Sequence, residues 1–232
     1  FIFYNFKINI YFYLEYLYFL KKKLSGWPFS YIFKNEFFYK IDVFLDVGVL
    51  VPRYETYIFI NKLFNILFKY NLKYIFEFGY GSGIISLLLS SCNDLFIKGV
   101  DNDLNAFFSS IKNLYNLKSR NLFFYYNNWN MFYCNNDKID IIFSNPPYVC
   151  YNSFVVLNNF LIPFESKKSL FSDKFGINDI IYIIKISFFS LKQGGFLIIE
   201  HNYRHSFIIR TIFIYFGYFL VNTYIDQYYS DR

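Results

Sequence analysis

The sequence predicts an α/β domain built on a mostly parallel sheet with helices on both faces. Three observations carry that expectation. From Lys73 onward, short apolar runs alternate with longer helical stretches, the order that gives parallel strands joined by crossover helices. Hydrophobic residues make up 55% of the 232 residues, enough for a sizeable core. The polar residues Glu77, Asp101, Asn145 and Glu200 fall at the carboxyl ends of the expected strands, which is where open α/β sheets hold their ligands.

The elements follow in order. Up to about Tyr39 the chain reads as helix, then a turn marked by Ser25-Gly26-Trp27-Pro28. Tyr74 to Phe78 is a buried strand that ends in glycines, and Ile84 to Ser91 is the helix after it. Phe96 to Val100 is a second strand, closed by Asp101. Asp103 caps a helix that runs to Leu117, because a carboxylate at that position accepts the free N–H groups of the first turn. Leu122 to Tyr126 and Ile139 to Phe143 are the third and fourth strands, the latter ending in Asn145-Pro146-Pro147-Tyr148. Asp179 to Leu191 is a helix closed by Gln193-Gly194-Gly195, and Phe196 to Ile199 is a fifth strand. A further helix and a last strand near Tyr218 to Ile225 complete the pattern. The expected division is a short N-terminal helical segment over 1–45 and a larger domain over 46–232.

Composition excludes some classes. The 34 Phe and 25 Tyr are spread along the whole chain with Ile, Asn and Lys. That is the mark of A/T-rich codons and not of a binding stripe. The net charge of +6 has the same origin, and Lys21-Lys22-Lys23 reads as a solvated helix end. Three cysteines without a CxxC pair indicate neither a disulfide framework nor a zinc site, and suit a reducing cytosol. His201 and His205 lack the HExxH setting, so they read as a surface pair and no metal site is expected. Phe1 to Leu20 is apolar, but Lys7 and Glu15 lie inside it. Charges there are costly in hydrocarbon, so the segment is expected to be a helix packed on the main domain and not a membrane anchor. The first residue is Phe1 in place of methionine, so residues can precede it.

Two constellations carry chemistry. Glu77-Phe78-Gly79-Tyr80-Gly81-Ser82-Gly83 follows the first strand of the domain. Glycines there let the backbone approach a ligand. Ile84 stands where a dinucleotide-binding loop needs its last glycine. The form with an acid before the first glycine is that of S-adenosylmethionine pockets, with Asp101 placed to accept the ribose hydroxyls. In Asn145-Pro146-Pro147-Tyr148, two prolines fix the backbone and leave carbonyls to face a ligand. The Asn145 side chain and the Pro146 carbonyl can each accept one hydrogen bond from a planar –NH₂ group, and Tyr148 can stack on its plane.

The glycine loop with this tetrapeptide resembles the amino-group methyltransferases, which act on adenine, guanine or the glutamine amide. Gly26-Trp27-Pro28-Phe29-Ser30-Tyr31 and Val49-Leu50-Val51-Pro52-Arg53-Tyr54-Glu55-Thr56 narrow the match. So do Glu165, Ser169-Leu170-Phe171, Gly176, Gly194-Gly195, Glu200, Asp226 and Arg232. Together they resemble the release factor glutamine methyltransferase family from about Lys22 onward. The resemblance implies a Rossmann-like class I methyltransferase fold and S-adenosyl-L-methionine as cofactor. Its expected contacts are Glu77, Gly79, Tyr80, Gly81, Ser82, Gly83, Asp101, Trp129 and Asn145, with Trp129 flanking the adenine. Asn145, Pro146 and Tyr148 are the expected catalytic residues. Pro147, Arg53 and Glu55 join them in binding substrate.

The implied acceptor is the glutamine amide in the GGQ motif of a peptide-chain release factor. The implied protein is a cytoplasmic monomer with no stable nucleic-acid or membrane partner. Departures from the family pattern are Tyr54 for a proline, Tyr80 for a small residue, and His201-Asn202 after Glu200. Tyr80 is expected to crowd the methionine end of the cofactor. Two other readings fit the same motifs. One is an amino methyltransferase acting on DNA or ribosomal RNA, and the other is a non-catalytic cofactor-binding remnant.

Overall fold

The computed structural model describes residues 2–92, 94–129, 139–150, 164–173, 175–226 and 230–231, with 2–9 described by their helical backbone alone. The central sheet holds β3 (Tyr74–Phe78), β4 (Phe96–Asp101), β5 (Leu122–Tyr126), β6 (Ile139–Ser144) and β7 (Leu191–Ile199) in the order β5-β4-β3-β6-β7. Every neighbouring pair is parallel. The strands are short apolar runs because both faces are covered.

Alternate residues serve opposite faces. Ile75, Ile141 and Phe143 join one core with α3 (Thr56–Tyr70), α4 (Ile84–Leu89) and α5 (Leu104–Leu117). Phe76, Phe78 and Ile142 join a second core with α7 (Asn178–Ser190) and α8 (Ser206–Tyr215). The expected N-cap is present: Asp103 accepts the N–H groups of Asn105 (2.8 Å) and Ala106 (3.3 Å). A short α6 (Lys167–Leu170) lies between β6 and α7.

Four expectations change. The chain up to Tyr39 is not all helix. After α1 (Ile2–Leu24) and α2 (Phe29–Ile32) comes an antiparallel hairpin, β1 (Asn35–Phe38) with β2 (Ile41–Phe44). Tyr39 and Lys40 both have positive φ, 49° and 68°, the geometry of a two-residue hairpin turn without its usual Asn or Gly. Tertiary contacts hold it. The buried Asn113 side chain of α5 accepts from the Phe44 N–H (2.7 Å) and donates to the Phe44 carbonyl (2.9 Å). Tyr31, Phe38, Val43 and Leu45 enter the first core.

The last strand near Tyr218 to Ile225 does not form. Gly217 (φ 91°) and Leu220 (φ 54°) turn the backbone out of extended geometry, and the Tyr218 hydroxyl donates to the Ile184 carbonyl at 3.0 Å. An isolated bridge pairs Ile225 with Asp231.

The N-terminal segment is the expected helix, but from Ile10 to Leu20 most large side chains face solvent, Tyr11 at 72% exposure. Over Ile10–Leu20 it is therefore not packed along the main domain. Phe19 meets Phe33 (5.1 Å), and the Lys22 ammonium stands over the Trp27 ring (3.5 Å). Among the described residues no helix is long and apolar enough to cross a membrane. His201 is buried, not on the surface, with Nδ1 2.9 Å from the Asn202 carbonyl oxygen.

Candidate active site

The strand order reverses between β3 and β6, and the cavity opens near their carboxyl ends. It encloses about 390 Å³ and is walled by Gly79, Gly81, Asp101, Trp129, Asn145 and Pro147, with Asn102, Asp103, Val49, Leu50, Lys168, Ser169, Phe171, Asp179 and Tyr182.

The glycine loop has the shape its composition requires. Gly79, Gly81 and Gly83 all have positive φ, at 69°, 54° and 78°, which side chains other than glycine adopt at a cost. The Gly79 N–H donates to the Val100 carbonyl (2.8 Å) and the Gly83 N–H to the Tyr80 carbonyl (2.7 Å). A Cβ on Gly81 would meet nothing within 4 Å, so its open face is space for a ligand. Asp101 accepts the Gly81 and Asp103 N–H groups, both at 2.9 Å. Burial raises the Asp101 pKa to about 6 against the pull of those amides. It remains an anion at neutral pH.

Glu77 does not reach the cavity wall. It is 1% exposed and accepts a hydrogen bond from the Ser86 hydroxyl of α4. Burial raises its pKa to about 8; the Ser86 bond opposes the rise and the Asp101 charge adds to it. Glu77 is therefore largely protonated at pH 7. Tyr80 points away from the cavity as well. Its ring packs on Phe124 at 4.5 Å and its hydroxyl donates to the Tyr125 carbonyl at 3.2 Å. Gly99 makes the room, since a Cβ there would stand 3.0 Å from the Tyr80 ring. The expected crowding of the cofactor pocket does not occur. Ser82 and Gly83 are buried in the turn beneath the loop, and the Ser82 carbonyl accepts from Asn113 at 3.0 Å.

Trp129 closes one side, 9% exposed and edge-on to Phe78 at 6.0 Å. Its indole N–H is buried without a hydrogen-bond partner among the described residues. A buried donor with no partner is costly. Here it stands on a cavity wall beside a side-chain-free loop and a carboxylate. An aromatic plane, a ribose-competent carboxylate and a glycine cradle are the donor set that a nucleoside-bearing cofactor needs, and S-adenosylmethionine fits it.

Asn145 and Pro147 also line the cavity, while Pro146 and Tyr148 do not. The Tyr148 hydroxyl donates to Glu200 Oε1 (3.1 Å), and the Glu200 N–H donates to the Ser144 carbonyl (3.0 Å). Arg53 also lies outside. Its Nη2 donates to both Glu165 oxygens, at 2.8 and 2.7 Å. That pair ties the 48–53 stretch to the 164–166 stretch, where the Ser166 N–H donates to the Gly48 carbonyl (2.8 Å). Glu55 precedes α3 and lines a different cavity, beside β7 and α8. Asp179 and Tyr182 on α7 line the cavity too, although their stretch read only as a helix and no motif marks them.

No family model matches the chain. Among curated proteins it is similar to the release factor glutamine methyltransferases of Buchnera aphidicola. The Schizaphis graminum form is 32% identical over 215 residues, 92% of this chain and 77% of that protein. The Acyrthosiphon pisum form is 32% identical over 221 residues, covering 95% and 78%. The Escherichia coli protein of that name is 28% identical over 214 residues, covering 92% and 76%. Among solved structures, a methyltransferase from Pyrococcus furiosus superposes with a TM-score of 0.52 at 17% identity, over 91% of this chain and 89% of that one. A ribosomal protein L11 methylase from Lactobacillus delbrueckii does so with 0.54 at 12%, over 78% and 77%. These two likenesses show the fold, that of class I methyltransferases.

Proposed function

The chain belongs to the release factor glutamine methyltransferase family, and on that premise we propose that it methylates the glutamine side-chain amide in the GGQ motif of a peptide-chain release factor. In this reading it works as a cytoplasmic monomer on protein and not on nucleic acid, with the transferase unit over 46–232. The observation that carries the proposal is that one cavity is lined both by Gly79, Gly81, Asp101 and Trp129 and by Asn145 and Pro147.

S-adenosylmethionine, when bound, supplies a methyl group activated on a sulfonium. The chain's own residues then have to hold, aim and exclude water. Gly79 and Gly81 give the cofactor backbone contact without a Cβ in the way, and the Asp101 carboxylate accepts the ribose hydroxyls. The Trp129 indole, on the same cavity, would flank the adenine. Glu77 braces the loop from inside through Ser86, and being protonated it adds no second charge beside Asp101.

The acceptor nitrogen is a poor nucleophile because its lone pair is delocalised into the amide carbonyl. Asn145 Oδ1 accepts one of its N–H groups and the Pro146 carbonyl accepts the other. Both bonds raise electron density on nitrogen and point it toward the methyl group. With the cofactor bound, its sulfonium would give up the methyl group as the nitrogen–carbon bond formed, leaving a neutral thioether, and the nitrogen held by Asn145 and Pro146 would then release its proton. Holding such a nitrogen in line is where most of the acceleration comes from.

The test is transfer of a labelled methyl group to a release factor, to DNA and to ribosomal RNA in parallel, followed by mass spectrometry of the GGQ peptide. Label on that glutamine is the expected result. Label on nucleic acid alone would replace the acceptor assignment, and no label anywhere would favour a binding remnant.

A further inference from the structure

The Asn145–Tyr148 turn is held by a second stretch of chain, which borders the cavity at Phe171 and braces the turn through the residues that follow. The Val149 N–H donates to the Leu170 carbonyl (2.9 Å) and the Ser172 N–H to the Val149 carbonyl (3.2 Å). Gly176 follows, buried, with φ 74°. A Cβ there would stand 2.4 Å from the Tyr148 carbonyl oxygen, 3.0 Å from its carbon and 3.2 Å from the Cys150 nitrogen. No side chain fits in that space. The glycine backbone is seated directly on the carbonyl that ends the acceptor turn.

Asp173 fixes the glycine. Its Oδ1 accepts the Ile177 N–H at 2.9 Å and the Asn178 N–H at 3.4 Å. Burial works to raise its pKa, and the amides of Ile177, Phe175, Asn178 and Gly176 outweigh that and hold it below the usual carboxylate range. The carboxylate thus anchors the backbone immediately after Gly176. The Ser172 hydroxyl, accepting the Asp179 N–H at 3.3 Å, ties the same stretch to the start of α7.

Resting on the methyltransferase reading above, we propose that Asp173 and Gly176 are positioning residues for methyl transfer: the Asp173 carboxylate holds the Gly176 backbone against the Tyr148 carbonyl, and so sets where Asn145 and Pro146 aim the acceptor nitrogen. Relieving a 2.4 Å contact to ordinary van der Waals distance requires the Tyr148 carbonyl to move by about 1 Å, and a misplacement of that size costs on the order of a hundredfold in rate. Gly79, Gly81 and Asp101 on the cofactor side lie at the ends of other strands.

The experiment compares wild type with Gly176→Ala and Asp173→Asn. It measures cofactor affinity by calorimetry, folding by thermal melting, and kcat and KM for the acceptor. Gly176→Ala is expected to lower kcat about a hundredfold with cofactor affinity unchanged. Asp173→Asn loses the charge of that anchor and is expected to lower kcat about tenfold, with Asp173→Glu recovering part of the loss. If Gly176→Ala does not fold, the Asp173 pair carries the test. Wild-type kcat in Asp173→Asn, or loss of cofactor affinity in step with kcat, would overturn the proposal and leave a purely structural role. The label is followed on whichever acceptor the wild-type chain methylates, so failure of the glutamine assignment alone leaves this comparison standing.

Discussion

Replacing Arg53 with alanine should destabilise the protein heavily, and in a pH-dependent way. The Glu165 side chain is 0% exposed, and its partner Arg53 is 25% exposed. With Arg53 gone, the carboxylate keeps, among the described residues, the Val51 N–H at 3.1 Å. Stranding a buried charge in this way costs about 3–5 kcal/mol. For a chain of this size that corresponds to a fall in Tm of roughly 6–20 °C. The variant should also show a pH signature. Burial already raises the Glu165 pKa, against the Arg53 charge and the Val51 amide. Without Arg53 it rises further. An acid whose folded pKa exceeds its unfolded one favours folding when protonated, and that advantage is lost as pH climbs from the unfolded value through the folded one. The deficit of Arg53→Ala should therefore be largest near neutrality and shrink as pH falls toward the ordinary carboxylate range. Arg53→Lys should recover much of the loss, because a single nitrogen, Nη2, makes both contacts. Thermal melts of the three proteins between pH 4.5 and 8 decide the matter. A deficit that is below about 1 kcal/mol, the value of an exposed pair, or that is flat with pH, would refute the reasoning.

Two further outcomes follow from the cavity. Asp101 has its pKa raised to about 6 by burial, against its amide partners, and the ribose contact needs the anion. Cofactor affinity should thus be full above about pH 6 and weaken below it. Asp101→Asn should bind weakly at every pH, and an unchanged titration curve in that variant would remove Asp101 from the cofactor site. Asn145→Ala should leave cofactor binding largely intact and lower methyl transfer by on the order of a hundredfold, a split readable from calorimetry beside a labelled-methyl assay. Equal losses in both would place Asn145 with the cofactor instead of the acceptor.

Strands β3 to β6 were legible because each is a short apolar run between polar stops, and two of those stops, Asp101 and Asn145, border the cavity. The β1–β2 hairpin was not. Its turn, Tyr39-Lys40, carries no turn residues, and what holds it is Asn113, far along the chain. No local pattern announces a contact of that kind. Tyr80 misled for a related reason. A bulky residue in a glycine loop reads as an obstruction, yet its direction is set by Gly99 on the neighbouring strand, which leaves a slot for the ring. Glu77 was read as facing the ligand because it ends a strand beside the loop. Strand alternation instead sends it under α4, to Ser86.

The separation between the two halves of the proposed site is set by the sheet and not by loops. The glycine loop leaves β3 after Phe78 and the acceptor turn leaves β6 after Ser144, and these two residues are directly paired in the parallel register. The Ser144 hydroxyl donates to the Phe78 carbonyl at 2.7 Å, in a fully buried setting. The last bond before both loops diverge is therefore locked from a side chain as well as from the ladder. Asp101 ends β4 on the other flank of β3, one strand spacing away, about 4.8 Å. Three adjacent strand ends thus present Asp101, the glycine loop and the Asn145 turn in that order across the sheet, the order in which the proposed function uses them. Methyl transfer needs the acceptor nitrogen within about 3–3.5 Å of its target carbon. A rigid parallel sheet holds such spacings through thermal motion, and the flanking stretches 48–53 and 164–178 need only keep each loop seated on its own strand end.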